Sequence, residues 1–297
     1  MTPRRILVTG ASGYLGRRVV RAAAGVGEVV GTVHRNVLDG VETVVVDLTD
    51  RASVHRIVKA IRPAAIIHTA AVNPGRGDEG TMWRVNVDGS RHVAEAARAV
   101  GARLVAVSTD VVHDGTAAPY PDDARPSPST GYGRSKAEAE RVMVEALAST
   151  TLVRTSLVYD LDEMDRGTAG FAARLAAGEE VGLFSDVVRQ PIRAETLAEA
   201  LVALVDVDHP GPLNVAGAEP MTREAFGRAM LAFWGIDDRG LVRSVRAAEV
   251  APSTPRDLRL DCRLAEMLLD RRFPGVAEVL AEAERLSGAS PPETPRA

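Results

Sequence analysis

The chain has 297 residues, 45% of them hydrophobic and 26% charged, with a formal net charge of −4. That length suits one large α/β domain with a smaller lobe attached. The weak negative charge gives no reason to expect nucleic acid or a membrane surface as partner. No apolar run approaches the ~18 residues of a membrane span. The first residues enter a strand-like run with no leader pattern, and the lone Cys262 allows neither an internal disulfide nor a metal cluster. The cytoplasm is the expected location.

Apolar runs alternate with amphipathic segments through the first half. RILVTG, EVVGTVHR, ETVVVDL, AAIIHTAA, RLVAVSTD and TLVRTSLVY read as strands. Between them YLGRRVVRAAAG, SVHRIVKAIR, TMWRVNVDGSRHVAEAARAVG and STGYGRSKAEAERVMVEAL read as helices, the third stopped by Gly101. Such alternation predicts a doubly wound parallel sheet covered on both faces, with ligands beyond the carboxyl ends of its strands. In the second half AGFAARLAAGE, AETLAEALVALVDV, TREAFGRAMLAFWG and RLAEMLLDRRF read as helices and GPLNVAG as a strand. We divide the chain into a dinucleotide-binding domain over 1–157, joined by about 192–215, and a substrate lobe over 158–191 and 216–286. The tail 287–297 is Pro- and Ser-rich and is expected to be disordered.

Gly10, Gly13 and Gly16 stand between the first strand and the first helix, in VTGASGYLG. Glycines there permit a tight turn and close approach of backbone to a pyrophosphate, which the helix N-terminus attracts. The dinucleotide is therefore expected against this loop, with Ser12, Tyr14 and Leu15 beside the glycines. The second strand ends in His34 and Arg35 instead of the acidic residue that NAD sites place near a ribose. A cation suits a 2′-phosphate, so NADP is favoured over NAD; Arg17 is a second candidate phosphate contact, and Asp39 keeps NAD open.

Tyr132 and Lys136 fall four apart in TGYGRSKAEAERV, on one face of a helix. Only Lys59 and Lys136 are lysines among the 36 basic residues, so Lys136 stands where an arginine would be usual. A phenol of pKa near 10 exchanges protons slowly at neutrality, and a nearby ammonium favours the phenolate. Tyr132 could then hand a proton to a carbonyl oxygen as a hydride reaches its carbon. His68 and His113 are read as structural, and Trp83 and Trp234 as packing residues. No spacing suggests a metal site.

Together GxxGxxG, DL (Asp47, Leu48), HTAA (His68–Ala71), VN (Val85, Asn86), STD (Ser108–Asp110) and YGRSK resemble an extended short-chain dehydrogenase/reductase. VSTDVVHDG…YPDDARPSPSTGYGRSKAEAE, VRTSLVY, FSDVVRQPIRAETLAEAL and TPRDLRLD are similar to the dTDP-4-dehydrorhamnose reductase branch. The resemblance implies a Rossmann fold with Tyr132 as proton donor, Lys136 as its partner and Thr109 orienting the carbonyl. It also implies Asp47 or Leu48 near the adenine, Ala70, Ala71, Val72 and Asn86 along the cofactor channel, and Asp110 and Arg189 against the substrate. The implied activity is NAD(P)H-dependent reduction of a nucleotide-linked 4-keto-6-deoxy sugar. The alternatives are a sugar-nucleotide epimerase or dehydratase holding NAD, and a regulatory NADP-binding subunit of the type found with methionine adenosyltransferase. The long helix ending at Gly101 could pair subunits in a homodimer.

Overall fold

The computed structural model describes residues 4–286; the tail 287–297, read as disordered, lies outside them. In chain order the first half runs β1 (Arg5–Thr9), α1 (Tyr14–Ala23), β2 (Glu28–Val33), β3 (Glu42–Val45), α2 (Arg51–Ile61) and β4 (Ala65–His68). It continues with α3 (Glu79–Trp83), a π-helical segment over Arg84–Gly89, α4 (Ser90–Val100), β5 (Arg103–Thr109), α5 (Gly131–Ala146) and β6 (Thr151–Thr155). The second half holds β7 (Val158–Tyr159), α6 (Arg166–Ala176), β8 (Val181–Phe184), β9 (Val188–Arg189), β10 (Ile192–Arg193) and α7 (Ala194–Ala203). After these come β11 (Gly211–Asn214), β12 (Met221–Thr222), α8 (Arg223–Phe233), β13 (Val242–Val245), α9 (Ala247–Val250), α10 (Arg263–Leu269) and α11 (Val276–Leu286).

Seven strands form one sheet in the order β11-β6-β5-β4-β1-β2-β3, every neighbouring pair parallel. The chain order reverses between β1 and β4, which makes their carboxyl ends the expected place for a ligand. Side chains alternate across the sheet. Ile6 and Val8 of β1 therefore pack with α1 and α7 residues such as Val19, Leu197 and Leu201. Leu7, between them, faces Val54 and Val58 of α2, Val93 of α4 and Met143 of α5. Both faces are covered, as uniformly apolar strands require.

Two expected elements are subdivided. The long helix read through Gly101 ends there, with Gly101 at φ 71° as its left-handed cap, but it contains the wider π turns of Arg84–Gly89. π turns occur where a helix is pulled toward a site, and here Asn86 reaches Val72. TLVRTSLVY divides at Ser156, so that Val158–Tyr159 leaves the main sheet and pairs with Ile192–Arg193. Three two-stranded pairs, β7 with β10, β9 with β12 and β8 with β13, build the smaller part beside the main sheet. The sequence reading found neither β8 and β13 nor α11.

Helix α5 is tied to the sheet by buried charge. Arg154 of β6, 1% exposed, donates from Nη2 to Glu140 Oε2 at 2.8 Å. Its Nη1 donates to the carbonyls of Asp122 and Ala124 at 3.1 and 2.9 Å. Ser108 Oγ donates to Glu140 Oε1 at 2.5 Å. Removing one member of such a pair leaves a charge uncompensated in a low-dielectric interior, which costs about 3–5 kcal/mol. Glu140→Ala is expected to lower unfolding free energy by about that much, read as a lower urea midpoint at unchanged slope.

Candidate active site

The turn after β1 leaves no room for side chains. Gly10 has φ 70°, and a Cβ there would lie 2.7 Å from the Cα of Ala70. A Cβ on Gly16 would lie 2.1 Å from the carbonyl oxygen of Gly10. The amide of Gly13 donates to that same oxygen at 2.9 Å. The turn thus brings α1 and the end of β4 together into the bare backbone cradle that a pyrophosphate requires. Ala70 borders it, Ala71 is exposed and Val72 partly buried on the following segment. Leu15 packs into the core beneath the turn. Ser12 presents its carbonyl to Arg17 at 3.4 Å.

Tyr14 and Arg17 point toward the segment after β7. Tyr14 donates its hydroxyl to the carbonyl of Glu163 at 3.0 Å, under the Arg18 guanidinium 4.1 Å from its ring centroid. Arg17, a candidate phosphate contact, pairs with the Glu163 carboxylate at 2.6 Å. Arg18 reaches Asp160 at 2.6 Å. Further along, Arg166 donates to the carbonyl of Pro74 at 3.1 Å. Residues 160–166 therefore bridge the glycine turn and the segment after β4.

His34 and Arg35 are exposed at the end of β2, and Arg35 has no ion pair among the described residues. Asp47 is exposed and Leu48 buried. The Thr49 amide and hydroxyl, and the charge of His34 to a lesser degree, hold the Asp47 carboxyl below its usual range. His34 and Asp47 are thus close enough to interact. These residues fit a dinucleotide, with the glycine cradle for its diphosphate and Arg35 free of ion pairs at the end of β2.

Asn86 is wholly buried, and its amide is fully engaged by the protein. Oδ1 accepts from the Val72 amide at 2.8 Å, and Nδ2 donates to the Val72 carbonyl and to Ser135 Oγ, both at 3.1 Å. It fixes the segment that carries Ala70 and Ala71, leaving its own amide no proton to donate to a ligand. His68 is likewise satisfied, with Nδ1 on Thr9 Oγ1 at 2.6 Å and Nε2 on Ser90 Oγ at 3.0 Å. His113 stacks on Tyr120 with centroids 4.0 Å apart. Trp83, read as a packing residue, is 41% exposed, because α3 buries none of its residues.

Helix α5 begins under Thr130, whose hydroxyl accepts from the Gly133 amide at 3.0 Å. A Cβ at Gly133 would come within 2.2 Å of the Val111 carbonyl, so the helix abuts the end of β5 directly. Tyr132 lies on the wall of a cavity of about 620 Å³ that Val111, Phe184, Val187, Arg189, Arg223 and Leu258 also line. Burial first, then the Asp110 charge, push the Tyr132 phenol up to about 12, while Arg189 pulls it down. Tyr132 is therefore protonated at neutral pH. One turn on, Lys136 donates from Nζ to the Val107 carbonyl at 2.9 Å. Burial lowers its pKa to about 8 against the opposing charge of Glu140. The charges felt by the phenol are thus those of Asp110 and Arg189, where the sequence spacing suggests Lys136.

Asp110 joins the two halves of the site. Its oxygens accept from Arg189 Nε at 2.6 Å and Nη2 at 2.5 Å, from Ser156 Oγ at 2.7 Å and from Thr109 Oγ1 at 3.2 Å. Asp110 is 0% and Arg189 8% exposed. Thr109 and Ser108 point to opposite sides, Thr109 to Asp110 and Ser108 to Glu140. Sequence reasoning missed Arg223, Phe184 and Leu258 as site residues, although Phe184 and Leu258 fall within FSDVVRQPIRAETLAEAL and TPRDLRLD. It also missed Glu140, although Tyr132, Lys136 and Glu140 repeat at a spacing of four that a helix turns to one side. Among the described residues no His, Cys, Asp or Glu cluster is arranged to hold a metal, and no helix is long and apolar enough to cross a membrane.

The reversed strand order, the glycine turn and the Tyr-x-x-x-Lys helix define a Rossmann fold of the extended short-chain dehydrogenase/reductase class. The family model described as RmlD substrate binding domain matches residues 4–283. The chain belongs to that family, within the dTDP-4-dehydrorhamnose reductase-like branch. It is 34% identical over 256 residues to the dTDP-4-keto-6-deoxy-D-glucose reductase of Streptomyces niveus, covering 83% of this chain and 84% of that one. It is also 28% identical over 295 residues to methionine adenosyltransferase 2 subunit beta of Bos taurus, covering 93% and 87%. A crystal structure of a hypothetical dTDP-4-dehydrorhamnose reductase from Sulfolobus tokodaii superimposes with TM-score 0.78 at 27% identity, covering 92% and 97%.

The neutral, buried state of His68 makes a prediction about acid stability. Its pKa falls to about 3 in the fold, mainly by burial, against about 6.5 in an unfolded chain. As pH falls from about 6.5 toward 3 the unfolded state takes up a proton that the native state refuses, so stability is lost in that window. His68→Gln is expected to flatten the fall in melting temperature between pH 6.5 and 4, measured by calorimetry.

Proposed function

We propose that this protein is an NADPH-dependent ketoreductase acting on a nucleotide-linked 4-keto-6-deoxy sugar, with Tyr132 as the proton donor. The observation that carries the reading is the protonated Tyr132 phenol on the wall of a cavity, at the carboxyl ends of the strands and on the same helix face as a buried lysine. The similarity to the Streptomyces niveus reductase supports the substrate class. The absence of an acidic residue at the end of β2, where Arg35 stands free, supports NADPH over NADH.

Gly10, Gly13 and Gly16 would cradle the dinucleotide diphosphate, Arg35 and His34 would meet the 2′-phosphate, and Lys136 would fix the nicotinamide end. When bound, the cofactor supplies a hydride to the substrate carbonyl carbon. Tyr132 gives its phenolic proton to the carbonyl oxygen as negative charge grows there. The Arg189 charge, which already lowers the phenol's pKa, stabilises the phenolate left behind. Thr109 Oγ1, which donates to Asp110 Oδ1 at 3.2 Å, would share the same oxygen by turning its proton from Asp110 to the substrate.

The test follows NADPH and NADH oxidation with dTDP-4-keto-6-deoxyglucose, offered directly and after a 3,5-epimerase. Tyr132→Phe is expected to lower kcat by about 10²–10⁴-fold, the usual worth of a general acid, with NADPH binding retained. Arg35→Ala is expected to raise KM for NADPH about tenfold or more, as loss of a charge-assisted hydrogen bond does, and to leave NADH unaffected. A second reading is favoured by the similarity to methionine adenosyltransferase 2 subunit beta: a dinucleotide-binding regulatory subunit. Tight NADPH binding with no turnover of either sugar would select it.

A further inference from the structure

Three arginines line the cavity beside Tyr132; Arg134 is exposed, and the situations of Arg189 and Arg223 differ. The β9–β12 ladder, which pairs Arg189 with Met221 and Val188 with Thr222, places them close together. The amide of Arg223 then anchors to the Val187 carbonyl at 2.8 Å, and Thr222 caps the helix that Arg223 begins, accepting from the Ala225 amide at 3.0 Å. Arg189 is buried, with Nε and Nη2 both on the Asp110 carboxylate. Its charge is matched and its Nε–Nη2 edge is occupied. Arg223 lines the same cavity, and its guanidinium has no ion pair or side-chain hydrogen bond among the described residues.

An unmatched guanidinium in a partly closed cavity is unfavourable on its own. Burial, and next the nearby Arg189, make the Arg223 cation harder to maintain, with Asp165 and Asp110 too distant to pair with it. The other charged residues of the lining, Glu79 and Arg134, are of opposite sign and cancel in the net charge without forming an ion pair, each lying 3.6 Å from where a Cβ on Gly131 would stand. Much of the remaining lining is apolar, including Phe184, Val187 and Leu258. The cavity thus keeps one net positive charge at Arg223, with donors free to meet planar oxyanions in a bidentate manner.

The geometry points to Arg223, and not Arg189, as the residue that binds the anionic diphosphate group of the substrate. Arg189 is instead a positioning residue: it holds Asp110, which holds Thr109. Arg223 meets the diphosphate, whose charge replaces the counter-ion that the protein withholds. This assignment rests on the nucleotide-linked substrate reading above, and it departs from the role that family resemblance implies for Arg189.

The test uses the full chain saturated with NADP+, so that the dinucleotide site is filled, and measures binding of inorganic pyrophosphate and of dTDP by isothermal titration calorimetry. Arg223→Gln is expected to weaken both by about tenfold or more, the worth of a charge-assisted hydrogen bond. Arg223→Lys, which keeps the charge without the fork, is expected to weaken them less. Both variants should keep the wild-type melting temperature and NADP+ affinity, because the side chain has no partner in the protein. Wild-type affinity for pyrophosphate in Arg223→Gln would overturn the assignment, as would wild-type protein that binds neither anion. Arg223-dependent anion binding without turnover of any nucleotide-linked keto sugar would overturn the reductase reading and leave the subsite standing.

Discussion

The inward face of α5 carries charge, and the placement of the site follows from that. Lys136 and Glu140 are both buried, at 3% and 4% exposure. Each is bonded to the end of the sheet, Lys136 to the Val107 carbonyl and Glu140 to Ser108 and Arg154. An unpaired buried charge costs several kcal/mol, so the helix cannot turn about its axis without breaking one of these contacts. Tyr132 sits one turn before Lys136 on the same side. Its position against the cavity is therefore set by residues that do not line that cavity.

The same logic of matched and unmatched charge extends across the cleft. Asp110 closes β5 and gathers Thr109, Ser156 and Arg189, drawing together the ends of two central strands and the small β9–β12 pair. With its oxygens so engaged it acts on Tyr132 through space, opposing Arg189, while burial does most to raise the phenol's pKa and keep it protonated at neutral pH. Acidity at this site is set first by burial and then by a charge pair contributed from two distant parts of the chain.

At the cofactor side, shape replaces charge. The glycine turn approaches Ala70 so closely that a methyl group would not fit, and Asn86 clamps Val72 just beyond. Residues 160–166 reach over from the smaller part, with Glu163 on Arg17 and Arg166 on the Pro74 carbonyl. The segment that follows β7 thereby touches both walls of the dinucleotide cleft.

The alternating apolar strands and helices, the glycine spacing and the Tyr132–Lys136 interval were all legible in the sequence. Each depends on local geometry, since strand burial, turn clearance and one helical turn are fixed by neighbours within a few residues. The doubly wound parallel class followed as well, because parallel pairing with helical crossovers leaves few arrangements, but the order of the strands came only from the tertiary structure. What the sequence could not decide is which charges meet. Asp110 and Arg189 stand 79 positions apart, in a chain where arginine is the usual cation, so no spacing announces their pairing. Nor does any motif mark Arg223, whose significance is that it lacks a partner. The π turns around Asn86 likewise accompany its bonds to Val72, a tertiary contact that helical periodicity does not encode. Local chemistry placed the reacting groups on their elements; only the packing of distant elements decided which of them are neutralised and which stay free for a ligand.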